Sequence, residues 1–393
     1  MCSLMLSKKE EEILKGEKGE ILQLAMKILI SVGKIFNATK LVPIKSAHIS
    51  GISIQNIGEP GLKFLEKISK EKVLIKTTCN PGALDEKNWR EQNINEEYAI
   101  QQLKIYSFLR KMGVSPSFTC TPYLIGNKPI SNEFYSWGES SAVIVANSFF
   151  NAYTNREPGP LTIASALIGK TPYYGLLIKE NRLETIHVKL ILKKRKKIDL
   201  TNLSAIGYAI GEYIGEGIPL IDGIKIYSLE EYKSFGSALA TSSNASLFKF
   251  KKSKSNKKSR LEKIEIDEKD IKNVFEKFHS SNEWDVGLIG CPHLSLKEIM
   301  EIYKLLKNKN NEIKGKVILY TSRKILEIVN KLGYKEEIEK KGIKFFADTC
   351  MVVSPIEKMN FDVLALDSCK AAHYLSSRGF KVILKNRREI LGG

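Results

Sequence analysis

Three cysteines in the C-terminal part of the sequence each follow an apolar run that has the composition of a β-strand: Cys291, Cys350 and Cys369. Because ligand sites of open α/β sheets lie beyond the carboxyl ends of the strands, we expect Cys291 and Cys350 to share one edge of a sheet. Cys120 lies in a Ser/Thr/Pro-rich loop that would face them across a cleft. Three converging thiolates are typical of a metal or iron–sulfur site. The alternative is that these cysteines are small buried hydrophobic residues.

The spacing of the six cysteines excludes several other kinds of site. The sequence has no Cys-x-x-Cys pair, so it lacks the spacing of zinc knuckles and of thioredoxin-like and ferredoxin-like motifs. Scattered cysteines in a cytoplasmic chain of 393 residues are not expected to form disulfides. The pattern alone assigns no role to Cys79.

A second candidate site is residues 138–142, which read Gly-Glu-Ser-Ser-Ala. A serine nucleophile at this point would need a strand that runs directly into the turn, and the preceding residues lack that pattern, although His373 lies downstream. The segment instead fits the start of a helix over about residues 143–150. Free N–H groups and the hydroxyls of Ser140 and Ser141 would bind a carboxylate or a phosphate there, with an ordinary helix cap as the alternative.

The elements that position these residues follow an α/β pattern. Ser7 with Glu10 predicts a capping box, and apolar residues at helical spacing predict helices over about 20–32 and 85–112. Strands are expected over about 38–44 and 73–77. After residue 284 the sequence alternates strand, loop and helix, which predicts a parallel sheet with right-handed crossovers.

Composition shifts predict three segments along the chain. Residues 1–248 would form an N-terminal α/β region with Gly/Ser-rich loops, made of two subdomains. Residues 249–262 would be a Lys/Ser linker, and residues 263–393 a C-terminal parallel α/β domain that carries two of the candidate ligand cysteines. Within the first segment, Gly207, Gly211 and Gly215 recur every four residues, which predicts two closely packed helices.

The charge and hydropathy patterns bear on partners and location. A net charge of +18, from 62 Lys and Arg against 44 Asp and Glu, is typical of nucleic-acid-binding proteins. The basic clusters at 193–197 and 249–260 instead fit a polar strand end and a solvated linker. We therefore expect no nucleic-acid partner and keep a non-enzymatic, basic nucleic-acid-binding protein only as an alternative. The apolar stretches are too short to cross a bilayer, and the N-terminus lacks the pattern of a signal peptide, so we expect a cytoplasmic protein without membrane contact.

Several short segments, taken together and in order, resemble the aconitase X family. They extend from about residue 40 to the C-terminus and are residues 46–53, 78–82, 117–123, 137–141, 290–293, 348–350 and 367–374. The resemblance implies a multi-domain, aconitase-like α/β architecture with parallel sheets flanked by helices. It also implies the large catalytic subunit of an iron–sulfur hydro-lyase. In the archaeal branch of the family this enzyme dehydrates (R)-5-phosphomevalonate to trans-anhydromevalonate 5-phosphate, in an archaeal-type mevalonate pathway.

The resemblance also assigns site residues. Cys120, Cys291 and Cys350 match the ligands of a [4Fe-4S] cluster that leaves one iron site open. A further set matches the substrate contacts: Gly51, Ile52, Ser53, Asn80, Pro81, Ser140, Ser141 and Lys370. Cys369 stands where the family pattern predicts a small residue. The general base is implied to be a serine of a small subunit, which would form a heterodimer with this chain and supply a swivelling domain.

The remaining expectations concern the catalytic side chains and the substrate. His48 and Lys370 are assigned as catalytic, with His48 bonded to the departing oxygen; the alternative for His48 is a structural hydrogen bond in its loop. His293 is expected to orient its loop, and His373 to be a packed residue. The substrate is expected to be a small anionic hydroxy acid. We favour phosphomevalonate, with cis-3-hydroxy-L-proline, the substrate of bacterial relatives, as the alternative.

Overall fold

The computed structural model describes residues 4–192, 198–251, 261–307 and 315–392. The first region is an α/β arrangement in which helices cover short strands. Its elements are α1 (Lys8–Lys15), α2 (Glu20–Ile35), β1 (Leu41–Pro43), β2 (Ser46–Ile49), α3 (Ile54–Ile68), β3 (Lys76–Cys79), α4 (Glu96–Lys111), β4 (Ser136–Trp137), α5 (Ser140–Ser148), α6 (Gly159–Ile168) and β5 (Lys170–Pro172). The capping box predicted at Ser7 and Glu10 is present at the start of α1.

The three-stranded sheet of the first region, in the order β3-β2-β4, is parallel throughout. Its carboxyl ends therefore lie at one edge, where the following loops carry residues 50–53, Asn80 and Glu139. Position 138 requires glycine, because a Cβ on Gly138 would lie 2.3 Å from Oγ of Ser50. This close approach brings the loops after β2 and β4 together.

The middle region is a parallel four-stranded sheet, in the order β8-β7-β6-β9, packed against a pair of helices. Its elements are β6 (Ile186–Ile191), α7 (Leu200–Ile214), β7 (Pro219–Asp222), α8 (Leu229–Ser242), β8 (Lys249–Phe250), β9 (Glu262–Asp267) and α9 (Glu268–Lys277). A Cβ on Gly207 would lie 2.3 Å from the carbonyl oxygen of Phe235, so the predicted close packing of two helices is confirmed. Gly215 caps the end of α7 and lies outside this contact.

The third region is a five-stranded sheet, in the order β12-β11-β10-β13-β14, and every pairing in it is parallel, as predicted. Its elements are β10 (Val286–Leu294), α10 (Leu296–Lys307), β11 (Lys316–Thr321), α11 (Arg323–Lys331), α12 (Tyr334–Glu339), β12 (Ile343–Ala347), β13 (Val363–Leu366), α13 (Cys369–Ser377), β14 (Lys381–Leu384) and α14 (Arg387–Ile390). Cys291 lies inside β10 rather than after it, at a register shift against β11 between Ile289 and Leu294.

Two features differ from the expected arrangement. β9 pairs with β6, so residues 262–267 belong to the middle sheet rather than to the C-terminal sheet that was expected to begin at residue 263. The helix expected over 85–112 begins only at Glu96, where Asn95 caps it by accepting the N–H of Tyr98 at 2.9 Å. The basic cluster at 193–197 and most of the cluster at 249–260 lie outside the described residues.

The hydrophobic cores show how the regions are joined. One cluster of buried residues contains side chains from all three regions, among them Trp137, Tyr208 and Leu366. A second cluster lies within the first region, and a third consists of residues of the third region together with Ile125 of the first. The three regions therefore share one interior, and α/β architecture with parallel sheets flanked by helices is confirmed. Among the described residues, no helix combines the length and the apolar composition that crossing a bilayer requires.

Candidate functional site

The three predicted ligand cysteines come from different elements. Cys120 follows a stretch that bridges to β3, Cys291 lies in β10, and Cys350 follows β12. The backbone N–H of His293 donates to Sγ of Cys120 at 3.3 Å. This bond ties the cysteine of the first region to the strand that carries Cys291.

The three thiols lie close enough to act on one another electrostatically. Burial, together with the negative charges of Glu139 and Cys350, raises the pKa of Cys120 to about 12. Burial also raises the pKa of Cys291 well above its usual range, while Lys370 lowers it and the other two cysteines raise it. In the free chain these thiols are therefore protonated, and a bound cation would take the place of their protons.

The donor set fits an iron–sulfur group better than a single metal ion. Within the described residues, no group of three or more His, Cys, Asp or Glu side chains is arranged around one ion. A cluster takes its thiolates on separate irons, so it needs thiols around a shared space rather than ligands that meet at a point. Thr349 Oγ1 and Tyr320 OH are buried without a hydrogen-bond partner in the described part of the chain, and the charge of Cys350 acts on Tyr320. Two buried thiols, the half-buried thiol of Cys291 and two unused hydroxyls nearby suit such a group.

The other two cysteines among the described residues, Cys369 and Cys79, lie in different surroundings. Cys369 begins α13, its backbone N–H donates to Oγ of Ser204 on α7 at 2.9 Å, and its side chain is fully buried in the shared core. Cys79 ends β3, and the charges that act on it are those of Arg110 and Asp348. Neither thiol is among the charges that act on Cys120, Cys291 or Cys350.

The loop after β2 reaches the segment that follows Cys350. Gly51 adopts a φ of 70°, and Ser53 caps α3 by accepting the N–H of Gln55 at 3.3 Å. The Ser53 hydroxyl also donates to the carbonyl of Val353 at 3.4 Å. The carbonyl of Ile52 is used internally, as it accepts from a buried glutamine side chain on α4.

The loop after β3 is held on both sides. The N–H of Asn80 donates to the carbonyl of Ile49 at 2.8 Å, which extends the pairing of β3 with β2. After Pro81, the N–H of Gly82 donates to the carbonyl of Asp348 at 2.9 Å. Asn80 and Pro81 are thereby fixed between the first region and the loop that leads to Cys350.

Glu139 is the residue on which the predicted substrate contacts converge. Its Oε1 accepts from Lys370 Nζ at 2.5 Å and from the Ser141 hydroxyl at 2.9 Å, and its Oε2 accepts from Asn80 Nδ2 at 2.6 Å. The Ser140 hydroxyl donates to Oε1 at 3.4 Å. Burial favours the protonated acid, but the charge and the hydrogen bond of Lys370 hold the pKa of Glu139 well below its usual range.

Lys370 is charged despite its burial. Burial lowers the pKa of a lysine, but the neighbouring charge of Glu139 outweighs it and raises the pKa of Lys370 above its usual range. We expected free N–H groups and hydroxyls at the start of α5 to bind an anion. In the structure, the carboxylate of Glu139 lies at this position. The N–H of Ser141 also donates to that carboxylate, at 3.2 Å.

His48 lies behind these residues. It is fully buried, its Nδ1 is 2.9 Å from Thr78 Oγ1, and its Nε2 is 2.9 Å from Asn80 Oδ1. Burial lowers the pKa of His48 to about 4, so the ring is neutral near pH 7. Because both ring nitrogens have protein partners, the arrangement fits the structural alternative for His48 and not a direct contact with a departing oxygen.

His293 supports the strand that carries Cys291, in line with the role expected for it. Its Nε2 donates to the carbonyl of Thr349 at 2.8 Å, and its Nδ1 therefore accepts from Thr119 Oγ1 at 3.0 Å. Burial lowers its pKa to about 4. The residues that directly precede Cys350 and Cys120 are thus bonded to one imidazole. His373, half-buried, bonds to the hydroxyl of Tyr208 at 2.8 Å and has the packing role expected for it.

Two groups of largely buried ion pairs hold the elements around the cysteines together. The sequence patterns did not reveal them. Asp85 of the first region, fully buried, bonds to Arg323 at 2.5 Å and accepts the N–H of Ala347 at 2.8 Å, and Arg323 also pairs with Asp348 at 2.7 Å. On the other side, Lys233 donates to the carbonyl of His293 at 2.9 Å and pairs with a buried glutamate that also binds Arg387. Charged residues at these positions in sequence are indistinguishable from surface charges.

The large cavity in the described part of the chain lies elsewhere. It measures about 930 Å³ and lies between the starts of α7 and α8 and the side chains of α10 and α14. None of the candidate cysteines and none of the predicted substrate contacts lines it. It is therefore separate from the site around Glu139 and Lys370.

Comparisons with known proteins cover the whole chain. The sequence profile of the aconitase X first domain matches residues 3–180, that of the second domain residues 185–276, and that of the third domain residues 284–392. The chain is 43% identical to a protein of Methanocaldococcus jannaschii named phosphomevalonate dehydratase large subunit, over 99% of this chain and 100% of that protein. A protein of the same name from Thermococcus kodakarensis is 36% identical over 99% of both chains.

More distant similarity and a solved structure extend this comparison. A cis-3-hydroxy-L-proline dehydratase of Hypocrea jecorina is 30% identical over 95% of this chain and 65% of that protein. The crystal structure of Thermococcus kodakaraensis aconitase X, described as the holo form, superposes with a TM-score of 0.91 and 36% identity over 99% of both chains. On the match of all three domains and this full-length identity, the chain belongs to the aconitase X family.

Proposed function

We propose that this chain is the large subunit of a phosphomevalonate dehydratase, which removes water from (R)-5-phosphomevalonate to give trans-anhydromevalonate 5-phosphate. Full-length similarity to archaeal proteins of that name supports the proposal. The observation that carries it is the electrostatic interaction of the Lys370–Glu139 pair with the thiols of Cys120, Cys291 and Cys350.

Cys120, Cys291 and Cys350 would hold a [4Fe-4S] cluster with one open iron site. When bound, such a cluster supplies a Lewis-acidic iron that helps the hydroxyl group of the substrate to leave. The buried position of the thiols supports this role, because it keeps water away and strengthens electrostatic interactions inside the site.

Lys370 is proposed to bind an oxyanion of the substrate. Its ammonium is a compact charge with three donors, and Glu139 receives one of them at 2.5 Å. Nζ also donates to the hydroxyls of Ser140 and Ser141 at 3.4 and 3.5 Å, and a substrate oxygen would replace these two long hydrogen bonds. Asn80, Pro81 and the loop of Gly51, Ile52 and Ser53 would complete the contacts.

His48 is proposed as a positioning residue. Its imidazole joins Thr78 to Asn80, and Asn80 in turn joins it to Glu139. His48 therefore holds the amide of Asn80 in place, while Lys370 remains the candidate for direct contact with the substrate.

We propose that the proton that leaves carbon is taken by a base that the described residues of this chain do not supply at the site. The nearby carboxylate of Glu139 accepts hydrogen bonds from Lys370, Asn80 and Ser141. Its pKa lies well below its usual range, so it stays ionised and is a poor base. We propose that a small subunit supplies a catalytic serine on a domain that closes over the site, which agrees with the words "large subunit" in the names of the relatives. The two chains would form a heterodimer.

We propose a cytoplasmic location. The five described cysteines are free thiols, which fits a reducing compartment.

The test is an assay of the purified chain with its small subunit under anaerobic conditions, with both phosphomevalonate and cis-3-hydroxy-L-proline as substrates. We expect negligible turnover by the chain alone, and dehydration of phosphomevalonate that rises until one equivalent of small subunit is added. Turnover of hydroxyproline but not of phosphomevalonate would overturn the proposed substrate and favour the second candidate, whose support is the more distant similarity at 30% identity. Full activity of the isolated chain would contradict the proposed partner.

A further inference from the structure

Four residues proposed to bind substrate use a single carboxylate as their common partner. Asn80, Ser140, Ser141 and Lys370 all direct donors at Glu139, at distances from 2.5 to 3.4 Å. The Glu139 side chain is 12% exposed and the Lys370 side chain 9%. The four donors were expected from the family resemblance, whereas their shared acceptor, Glu139, is evident only in the structure.

The chemistry of a carboxylate dictates the direction of the hydrogen bonds beyond it. An ionised carboxylate only accepts, so Asn80 must turn its NH₂ group toward Glu139. Asn80 Oδ1 then faces His48, and His48 Nε2 must carry the proton that it donates. His48 is neutral, so its Nδ1 accepts from the Thr78 hydroxyl.

The hydrogen bonds at the Thr78 end of this chain also match donors with acceptors. The oxygen of Thr78, having donated to His48, accepts from Asn127 Nδ2 at 2.8 Å. Asn127 Nδ2 also lies 3.3 Å from the carbonyl of Ala47 in β2. The Thr78 hydroxyl also lies 3.5 Å from the carbonyl of Ala47, so this end of the chain of bonds is satisfied in either orientation, and the acceptor at position 139 sets the direction.

We propose that Glu139 is the positioning residue of this site: it fixes the amide orientation of Asn80 and the Nε2–H tautomer of His48, and it anchors the ammonium of Lys370. The inference rests on the proposed function, in which Asn80 and Lys370 contact the substrate. Asn80 keeps one N–H beyond the one that Glu139 receives, and the other two N–H groups of Lys370 make only the long hydrogen bonds to Ser140 and Ser141. Both donors are thereby held in place before the substrate binds, which lowers the cost of ordering them.

The test is Glu139→Gln in the complete two-subunit protein, with ¹³C,¹⁵N-labelled histidine. The chain has five histidines, and a His48→Gln variant identifies the signal of His48. We expect His48 to be Nε2–H in the wild type. In Glu139→Gln the amide of residue 139 places a donor against its neighbours, so we expect a substantial fraction of His48 to change to Nδ1–H. We also expect kcat/KM to fall by about tenfold or more, mainly through a higher KM.

Three further variants keep the test decisive. Glu139→Asp retains acceptor-only oxygens and should keep the Nε2–H tautomer even where its shorter reach lowers activity. Asn80→Ala removes the link between Glu139 and His48 and should give a mixture of tautomers, which also covers the case in which Glu139→Gln does not fold. Glu133→Gln, an exposed residue paired with Lys45, is the matched control and should change neither readout.

The result that overturns the inference is a His48 that stays Nε2–H in both Glu139→Gln and Asn80→Ala. The tautomer is measured without substrate, so it separates this inference from the proposed function. If the wild type fails to dehydrate phosphomevalonate while the tautomer changes as expected, the proposed function fails and the role of Glu139 in fixing Asn80 and His48 stands. If the wild type is active and the tautomer does not respond, the inference fails and the function stands.

Discussion

At the scale of single residues, Cys120, Cys291 and Cys350 differ from Cys369 in the charges that surround them. The charge of Lys370 acts on each of the first three, whereas Cys369 lies against Ser204 in the shared core. We expect Cys→Ser at any of the three to lower the iron bound per chain and the absorbance at about 400 nm of anaerobically purified protein. Iron analysis and the visible spectrum are the measurements.

Cys369→Ser is the control for that experiment. It makes the same chemical change in a buried cysteine of the same chain, and we expect iron content and spectrum to be retained. A residue among the three whose replacement leaves both unchanged is not a ligand. Equal loss in Cys369→Ser would show that the spectrum reports on folding and not on ligation.

The sequence patterns indicated the cysteines as candidate ligands but did not indicate Glu139 as part of the site, and the reason is physical. A cysteine after an apolar strand is an unusual local pattern, and parallel strands deliver such residues to one edge. The importance of Glu139 comes from partners 59 and 231 residues away, Asn80 and Lys370. A glutamate before two serines at the start of a helix is an ordinary capping pattern, so only the folded chain distinguishes it.

At the scale of elements, Glu157 joins two strands of the first region. Its carboxyl accepts from Ser136 in β4 and from Thr171 in β5, and burial raises its pKa from an ordinary value of 4.5 to about 7. The folded protein therefore binds this proton more tightly than the unfolded chain does between pH 4.5 and 7. The contribution of Glu157 to the free energy of unfolding is greatest below pH 4.5 and declines as pH rises to about 7.

We expect Glu157→Gln to remove that decline. The free energy of unfolding of the wild type relative to Glu157→Gln should fall by roughly 3 kcal/mol between these pH values. Denaturant unfolding of both proteins at a series of pH values measures it. The free energy of unfolding of the control variant Glu133→Gln should change with pH in the same way as that of the wild type. A difference in free energy of unfolding between wild type and Glu157→Gln that stays constant with pH would contradict the prediction.

Element types were predictable where the local pattern dominates, and boundaries were not where tertiary contacts decide. The capping box at Ser7 and the parallel third sheet follow from short-range patterns. The helix expected from residue 85 begins at Glu96 because the Asp85 side chain bonds to the third region and to the N–H groups of Lys87 and Asn88. β10 continues through Cys291 because its neighbour β11 pairs again at Leu294.

At the scale of the whole molecule, the buried group of Asp85 and Arg323 holds the first region to the third. We expect Asp85→Ala to lower the free energy of unfolding by about 3 kcal/mol or more, because the partly buried Arg323 loses a partner and the buried N–H of Ala347 loses its acceptor. Since Cys120 and Cys350 come from the two regions that this group joins, we also expect the variant to retain less iron. Denaturant unfolding and iron analysis measure the two effects.

Lys344→Ala is the matched control, because it breaks an ion pair between the same two regions. Lys344 bonds to Glu91 at 2.9 Å, and both side chains are more than half exposed. We expect a loss of less than about 1 kcal/mol and unchanged iron content. If Asp85→Ala costs no more than this control, the buried group does not join the regions in the way proposed.

The proposed division of the chain at 249–262 rested on the Lys/Ser-rich composition of that stretch. Lys-rich composition marks a solvated stretch without showing which sheet the flanking strands join. In the fold, β8 before that stretch and β9 after it belong to the same sheet. Strand pairing between distant segments is the property that local composition cannot encode.

The core that all three regions share has a consequence for the order of events during biosynthesis. Cys120 leaves the ribosome long before Cys350, by an interval on the order of ten to fifty seconds at ordinary translation rates. Throughout that interval the growing chain contains at most two of the three proposed ligand cysteines, and its shared core lacks side chains of the third region. With the proposed ligand set, iron delivered during translation would find no complete site, so the cluster would be loaded only after Cys350 has been made.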